Sequence, residues 1–189
     1  MAAFQVAGAP SKGEWFLQTH SLTPHQAFAA ARARKVTARW GRVKNGKVML
    51  RFRVDGADDL IVPAEKQAAR ADDLWMTTCF ELFLAYADGG YREFNFSPSG
   101  EWAAYSFSGY RNRTGNFDPV QTPEIAIDKG NSVFTLTVFI DEAELQDAKH
   151  AALTAVIEEG KGRKSYWAAR HSKLQPDFHE PTCFVVPVP

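Results

Sequence analysis

The sequence predicts an all-β chain folded as a two-sheet antiparallel β-sandwich with one or two short helices. Three observations carry that prediction. Apolar residues recur with a period of two, as in "KVMLRFRV" (47 to 54), the pattern of a strand with one face on a core and the other in water. Short stretches of turn chemistry, "KNG", "ADGG" and "SPSG", punctuate these runs. About ten to twelve strand-like runs can be counted, which suits two packed sheets. The 189 residues are enough for one domain with a real core, so a single domain over 1–189 is expected.

Taken in order, the first element is a short helix. "TPHQAFAAARARK" (23 to 35) is rich in alanine, with Thr23 placed as an N-cap and Pro24 in the first turn. "VTARWGRV" (36 to 43) sets Val36, Ala38 and Trp40 on one side, and Asn45-Gly46 joins it to 47 to 54 as a hairpin. Strands over 79 to 86, 91 to 97 and 101 to 107 follow as a three-stranded meander. The stretch 108 to 122 is the longest polar one and reads as a loop. Strands at 132 to 140, 151 to 158, 164 to 170 and 183 to 189 complete the set. Between them "DEAEL" (141 to 145) offers Asp141 as a cap with Glu144 three residues on, a capping-box spacing for a turn or two of helix.

Composition excludes several function classes. Lysine plus arginine equal aspartate plus glutamate at 22 each, so no net field attracts nucleic acid or an anionic membrane, and neither partner is expected. No apolar run approaches the roughly 18 residues a spanning helix needs, and "MAAFQVAGAPSKGEW" lacks a basic region followed by an apolar stretch. A cytoplasmic protein is the expectation. Cys79 and Cys183 sit in strand-like runs without CxxC or histidine spacing, which favours buried free thiols over a disulfide. His171, His179 and Asp177 near the carboxyl end fit no standard ligand spacing, so neither a metal nor a cofactor is expected.

The candidate site begins with Glu81, a carboxylate inside the apolar strand "CFELFLAY". A buried charge costs several kcal/mol unless it is paired, hydrogen-bonded or reached by a ligand, roughly the scale of a whole lost salt bridge. Strand parity places Glu81 with Cys79 and Phe83, opposite Phe80, Leu82 and Leu84. In the next strand Glu93, Asn95 and Ser97 share a face opposite Phe94 and Phe96. If the aromatic faces form the core, Glu81, Asn95 and Ser97 gather on the other side as a polar patch. Glu158 continues the face of Thr154 and Val156 in the same way. A hydrogen bond to a neighbouring side chain or an interior arginine is the first explanation for Glu158, and for Glu81 it stands level with a ligand-binding role.

Of the five tryptophans, Trp15, Trp40, Trp75, Trp102 and Trp167, Trp40 and Trp167 lie in strand patterns that suit core packing. Trp102 follows the "SPSG" turn and reads as a cap on the core. Trp75 stands at a loop-to-strand junction after "ARADD", where an indole is available as a platform for a ligand ring. No G-x-S-x-G, Walker, Rossmann or HExxH pattern occurs, so an enzyme is not expected.

The order "DDLWMTTCFELFLA", "YREFNFSPSGEWAAY", "FTLTVFIDEAEL" and "PDFHEPTCF" resembles the DOMON-like superfamily and, within it, the family 9 carbohydrate-binding modules. That resemblance runs from about Leu74 to the end. It implies a β-sandwich whose concave sheet holds a ligand, with two aromatic rings clamping a terminal sugar and acidic and amide groups bonding its hydroxyls. On this chain it makes Trp75 one clamp, Phe178 the second in a tryptophan's place, and Glu81 the acidic contact. Asn95 and Ser97 stand where an arginine and an asparagine are expected, and Val156 where an amide is expected. The implied ligand-binding set is Trp75, Glu81, Asn95, Ser97, Glu158 and Phe178, and the implied function is non-catalytic binding of a small molecule, a saccharide first. Two alternatives stay open: a protein-interaction or scaffold domain with a vestigial cavity, and a haem-binding DOMON module using Met76 and His171.

Overall fold

The computed structural model describes residues 17–189, so Trp15 lies outside it. Among the described residues twelve strands form two antiparallel sheets: β1 Gln18–Pro24, β2 Lys35–Val43, β3 Lys47–Asp55, β4 Cys79–Ala85, β5 Tyr91–Phe96, β6 Trp102–Phe107, β7 Arg113–Asn116, β8 Glu124–Lys129, β9 Val133–Asp141, β10 His150–Glu159, β11 Arg163–Ala168 and β12 Val186–Pro187. The back sheet runs β1-β2-β3-β9-β8 and the front sheet β7-β6-β5-β4-β10-β11, with the two-residue β12 also paired to β10. β1 joins them: its first five residues pair with β2, and its last two, Thr23 and Pro24, pair with Ala168 and Trp167 of β11.

The period of two places the core between the sheets. Trp40, Leu50 and Phe52 from the back sheet meet Phe80, Leu82 and Phe94 from the front sheet, all buried. The Phe80 ring lies 5.0 Å from Phe52 and 6.0 Å from Phe134, so one β4 side chain locks both β3 and β9 across the gap. Truncating such a phenylalanine typically costs about 3–5 kcal/mol. The β2–β3 hairpin turns through Asn45 and Gly46, both at positive φ (64° and 68°), which those two residues tolerate best. Both outer edges are polar: β8 presents Glu124, Asp128 and Lys129, and β7 presents Arg113, a composition that discourages edge-to-edge pairing.

Two expectations about helix require correction. No helix forms over 23 to 35, because Thr23 and Pro24 close β1 and the chain after them is held open by a buried carboxylate. Glu159 accepts from the backbone N–H of Ala31 (2.6 Å), Arg32 (2.6 Å) and Ala33 (2.8 Å), so tertiary contacts override alanine propensity. The "DEAEL" stretch does form one tight turn, Glu142–Leu145, with Asp141 accepting from Ala143 N–H at 2.9 Å. Glu144 does not complete a capping box. It is buried and accepts from Val120 N–H (2.6 Å) and Arg92 (3.3 Å), tying down the segment after β7. Within the stretch read as a loop over 108 to 122, β7 forms, and β8 was not foreseen.

Among the described residues no helix is long and apolar enough to cross a membrane. Cys79 and Cys183 are both free and buried. Trp40 and Trp167 are core residues, and Trp102 is buried under the Arg70 guanidinium at 4.4 Å.

Candidate functional site

The front sheet has a second buried face, away from the sandwich core, and the same alternation that sends Phe80, Leu82 and Phe94 inward puts Glu81, Phe83 and Glu93 on it. Tyr105 and Phe107 of β6, Val156 of β10 and Tyr166 of β11 join them by the same parity. Walls rise from three loops: 72 to 75 before β4, 111 to 113 before and into β7, and 175 to 179 after β11. Together they enclose a cavity of about 510 Å³, within the usual size range of small-molecule sites.

The rim is built by ion pairs. Asp177 accepts from Tyr110 (2.5 Å), Arg111 (2.9 Å) and Lys173 (2.8 Å), clasping the 173 to 179 segment to the 110 to 111 turn. Burial works against its charge, but these three donors outweigh it and hold the Asp177 carboxyl down at about 2. The clasp positions Phe178, which is buried on the wall with its ring 6.2 Å from Tyr166. On the opposite side Asp72 accepts from the Tyr105 hydroxyl at 2.7 Å, and the Arg113 guanidinium lies 3.9 Å from the Tyr105 ring centre. Trp75 sits on a tight turn, Leu74–Met76, entered through Asp73 at φ 59°, and half of it (49%) is exposed.

The floor holds two buried glutamates. Register sets Glu81 opposite Asn95 and Phe83 opposite Glu93, so the carboxylates are diagonal neighbours on one face. Glu81 Oε2 accepts from Thr154 Oγ1 at 2.7 Å, and Glu93 Oε1 accepts from Asn95 Nδ2 at 2.6 Å. Burial, then the neighbouring Glu93 charge, push Glu81 up to about 8; burial pushes Glu93 up to about 7 against the opposing pull of Asn95, Arg113 and Arg111. The pair therefore keeps a proton at neutral pH. His179 is 3.8 Å from Glu93 and neutral there, since burial and Arg111 lower it to about 4. Its Nδ1 faces the Tyr91 hydroxyl (2.9 Å), which itself accepts from Arg111 N–H (3.0 Å) and so is set to donate to that nitrogen. Such a floor presents hydrogen-bond acceptors and one transferable proton inside an aromatic wall.

Of the residues singled out in the sequence, Trp75, Glu81 and Phe178 all line this cavity. Asn95 is one layer below, buried, holding Glu93 in place and accepting from the Cys79 thiol at 3.6 Å. Ser97 is not at the cavity. β5 ends at Phe96, and the Ser97 hydroxyl accepts from Ser99 N–H (3.1 Å) and hydroxyl (2.9 Å) to close the turn into β6. Glu158 also lies outside: Val156 is the last residue of its face on the cavity, and Glu158 stands at the end of β10, where its N–H donates to Thr78 Oγ1 at 3.1 Å. Met76 and His171 do not share a cavity, because Met76 points to solvent and His171 bonds the Thr23 carbonyl at 3.0 Å, so they form no axial pair. Sequence reasoning missed Glu93, Tyr105, Arg111, Arg113 and His179 as lining residues. Strand parity already signalled Glu93, which shares the face of Asn95.

No family model and no curated protein matches the chain. Among solved structures it is similar to a candidate carbohydrate-binding protein from Bacteroides uniformis ATCC 8492, with a TM-score of 0.64 and 14% identity over 89% of this chain and 84% of that one. The likeness is one of fold. Two structures of a family 9 carbohydrate-binding module from Caldicellulosiruptor kristjanssonii, one with cellotriose and one with glucose, also match. Their TM-scores are 0.41 and 0.39, at 8% and 10% identity, covering 79% and 88% of this chain and 71% and 81% of theirs.

Proposed function

We propose that the chain is a non-catalytic binding domain that takes a small saccharide into the front-sheet cavity. The observation that carries this reading is the joint placement of Trp75, Phe178 and Glu81 on one cavity of about 510 Å³. Sugars offer an apolar ring face and a rim of hydroxyls, and recognition needs an aromatic platform beside a few fixed polar groups. Trp75 supplies a half-exposed indole, Phe178 a ring on the opposing loop, and the two glutamates the hydroxyl partners. The name of the B. uniformis neighbour agrees with this ligand class.

Saccharide titration with tryptophan emission tests it. Trp40, Trp102 and Trp167 are buried, so among the described tryptophans Trp75 is the one a ligand reaches. A mono- or disaccharide should change the emission, and Trp75→Ala should abolish the change and weaken binding about tenfold. A millimolar panel that leaves emission and melting temperature untouched would overturn the reading. A second reading then leads, a protein-interaction surface, because Met76 beside Trp75 on the same turn is 54% exposed.

A further inference from the structure

The cavity floor carries a charge pattern that a neutral ligand does not require. Glu81 is 3% and Glu93 5% exposed, yet each has only one carboxyl oxygen engaged, with Thr154 and with Asn95. Glu81 Oε1 and Glu93 Oε2 accept no hydrogen bond from the described residues; neither is sealed in, and both residues line the cavity. Among the described residues no cationic side chain bonds either free oxygen, although Arg111 and Arg113 on the walls pull on the Glu93 charge. Arg111 is committed to Asp177 and Arg113 stacks on Tyr105 beside Asp72, while His179 is held neutral by its surroundings. Asp73 adds a further carboxylate to the lining. The Tyr91 and Tyr105 hydroxyls are engaged with His179 and Asp72, and the Cys79 thiol is kept protonated by burial and by the two glutamates.

We propose that the ligand is an amino sugar, whose protonated amine docks between Glu81 and Glu93 while its ring faces the aromatic wall. This rests on the saccharide reading above and narrows it. Diagonal neighbours on one sheet face stand roughly 7 Å apart at the backbone, close enough for two glutamate side chains to turn one free oxygen each toward a single ammonium group. A metal ion is a poorer occupant, since no group of three or more suitable ligands occurs among the described residues. The aromatic lining, Phe83 and Tyr166 on the floor with Trp75 on the wall, suits a cation as well as a sugar face. Entry of the ammonium displaces the protons that the two glutamates hold, nearly two of them below pH 7. Those protons leave to the buffer, the two carboxylates become ionised, and no bond in the ligand changes.

Calorimetric titration of the full chain with D-glucosamine hydrochloride, N-acetyl-D-glucosamine and D-glucose tests this, at about pH 6.5 where an ordinary amine carries its proton. The expected result is glucosamine binding about tenfold or more tighter than the other two, the scale of charge-assisted hydrogen bonds. Repeating it in two buffers of different ionisation enthalpy should reveal release of nearly two protons per glucosamine at that pH, since it lies below the values of both glutamates, and none for glucose. Glu81→Gln and Glu93→Gln should each shrink the preference to about twofold. The wild-type preference and proton count stand even if a variant fails to fold. Equal affinity for glucosamine and glucose overturns the amine assignment and leaves the saccharide reading intact, whereas no heat with any of the three overturns both.

Discussion

Glu81 and Glu159 are both glutamates on the front sheet, both almost wholly buried, and their surroundings could hardly differ more. Glu159 spends both oxygens on three backbone N–H groups of 31 to 33, a stretch that Gly56 lets approach closely, because a Cβ there would meet the Arg32 carbonyl at 2.3 Å. Glu81 has one hydroxyl partner, a second carboxylate as its neighbour and a free oxygen on a cavity. The contrast separates architecture from site. A buried carboxylate whose lone pairs are filled by backbone holds the chain in place, while one left partly unfilled, at a cost in stability, faces whatever the protein binds.

The sharpest way to break the comparison is to delete the filled one. Glu159→Ala strands three donors at once and should cost at least about 4 kcal/mol in urea unfolding, since hydrogen bonds to charged groups contribute roughly 1.5–3 kcal/mol each. A cost near zero would mean that the loop 31 to 33 is held by something else.

The next effect is a pH dependence with a definite sign. A glutamate with an ordinary pKa of 4.5 when unfolded, raised to about 8 for Glu81 and about 7 for Glu93 when folded, binds its proton more tightly in the native state. Its contribution is therefore complete below about 4.5 and is lost as the pH rises through 7 to 8. Unfolding free energy should fall by about 1–2 kcal/mol between pH 7 and 8, the last part of a decline that begins near 4.5, and Glu81→Gln should flatten the fall. Chemical denaturation at several pH values measures it. A wild type whose stability climbs over the same range would place the ionised pair, not the protonated one, in the native state.

The smallest effect marks the boundary of the site. Ser97→Ala removes a turn hydrogen bond and should cost about 1 kcal/mol or less by thermal melting, with saccharide affinity unchanged. A variant that loses affinity without losing stability would put Ser97 back into the binding set.

Much of this arrangement was legible in the sequence, for identifiable reasons. β2 and β3 alternate cleanly around Asn45-Gly46, and β4 to β6 are separated by short turns, so parity, with the aromatic faces taken as the core, put Glu81 and Asn95 together on the other face; their direct pairing came only with the structure. The exposed setting of Trp75 followed from its position before β4. What stayed hidden depends on distant contacts. Residues 23 to 35 have helical propensity, but β2, β11 and Glu159 claim that segment. β7 and β8 are polar edge strands without an apolar stripe, so no periodicity marks them. Arg111 and His179 reach the cavity because Asp177 clasps two loops more than 60 residues apart in sequence, which no local pattern records. Ser97 shares the parity of Asn95, and only the closing of the turn by Ser99 takes it out of the site.

The central claim, that the partly filled carboxylate serves a ligand and the filled one serves the fold, can be tested in a single thermal-shift comparison. Wild type, Glu81→Gln and Glu159→Gln are melted with and without the saccharide that moves the wild type most. Ligand binding to the native state should raise the wild-type melting temperature. Glu159→Gln should melt earlier yet keep its sugar-induced rise, and Glu81→Gln should melt at or above the wild-type temperature and lose most of the rise. Contradiction would be the reverse pattern, a Glu81→Gln protein that melts early and still responds to sugar, which would make Glu81 another structural anchor.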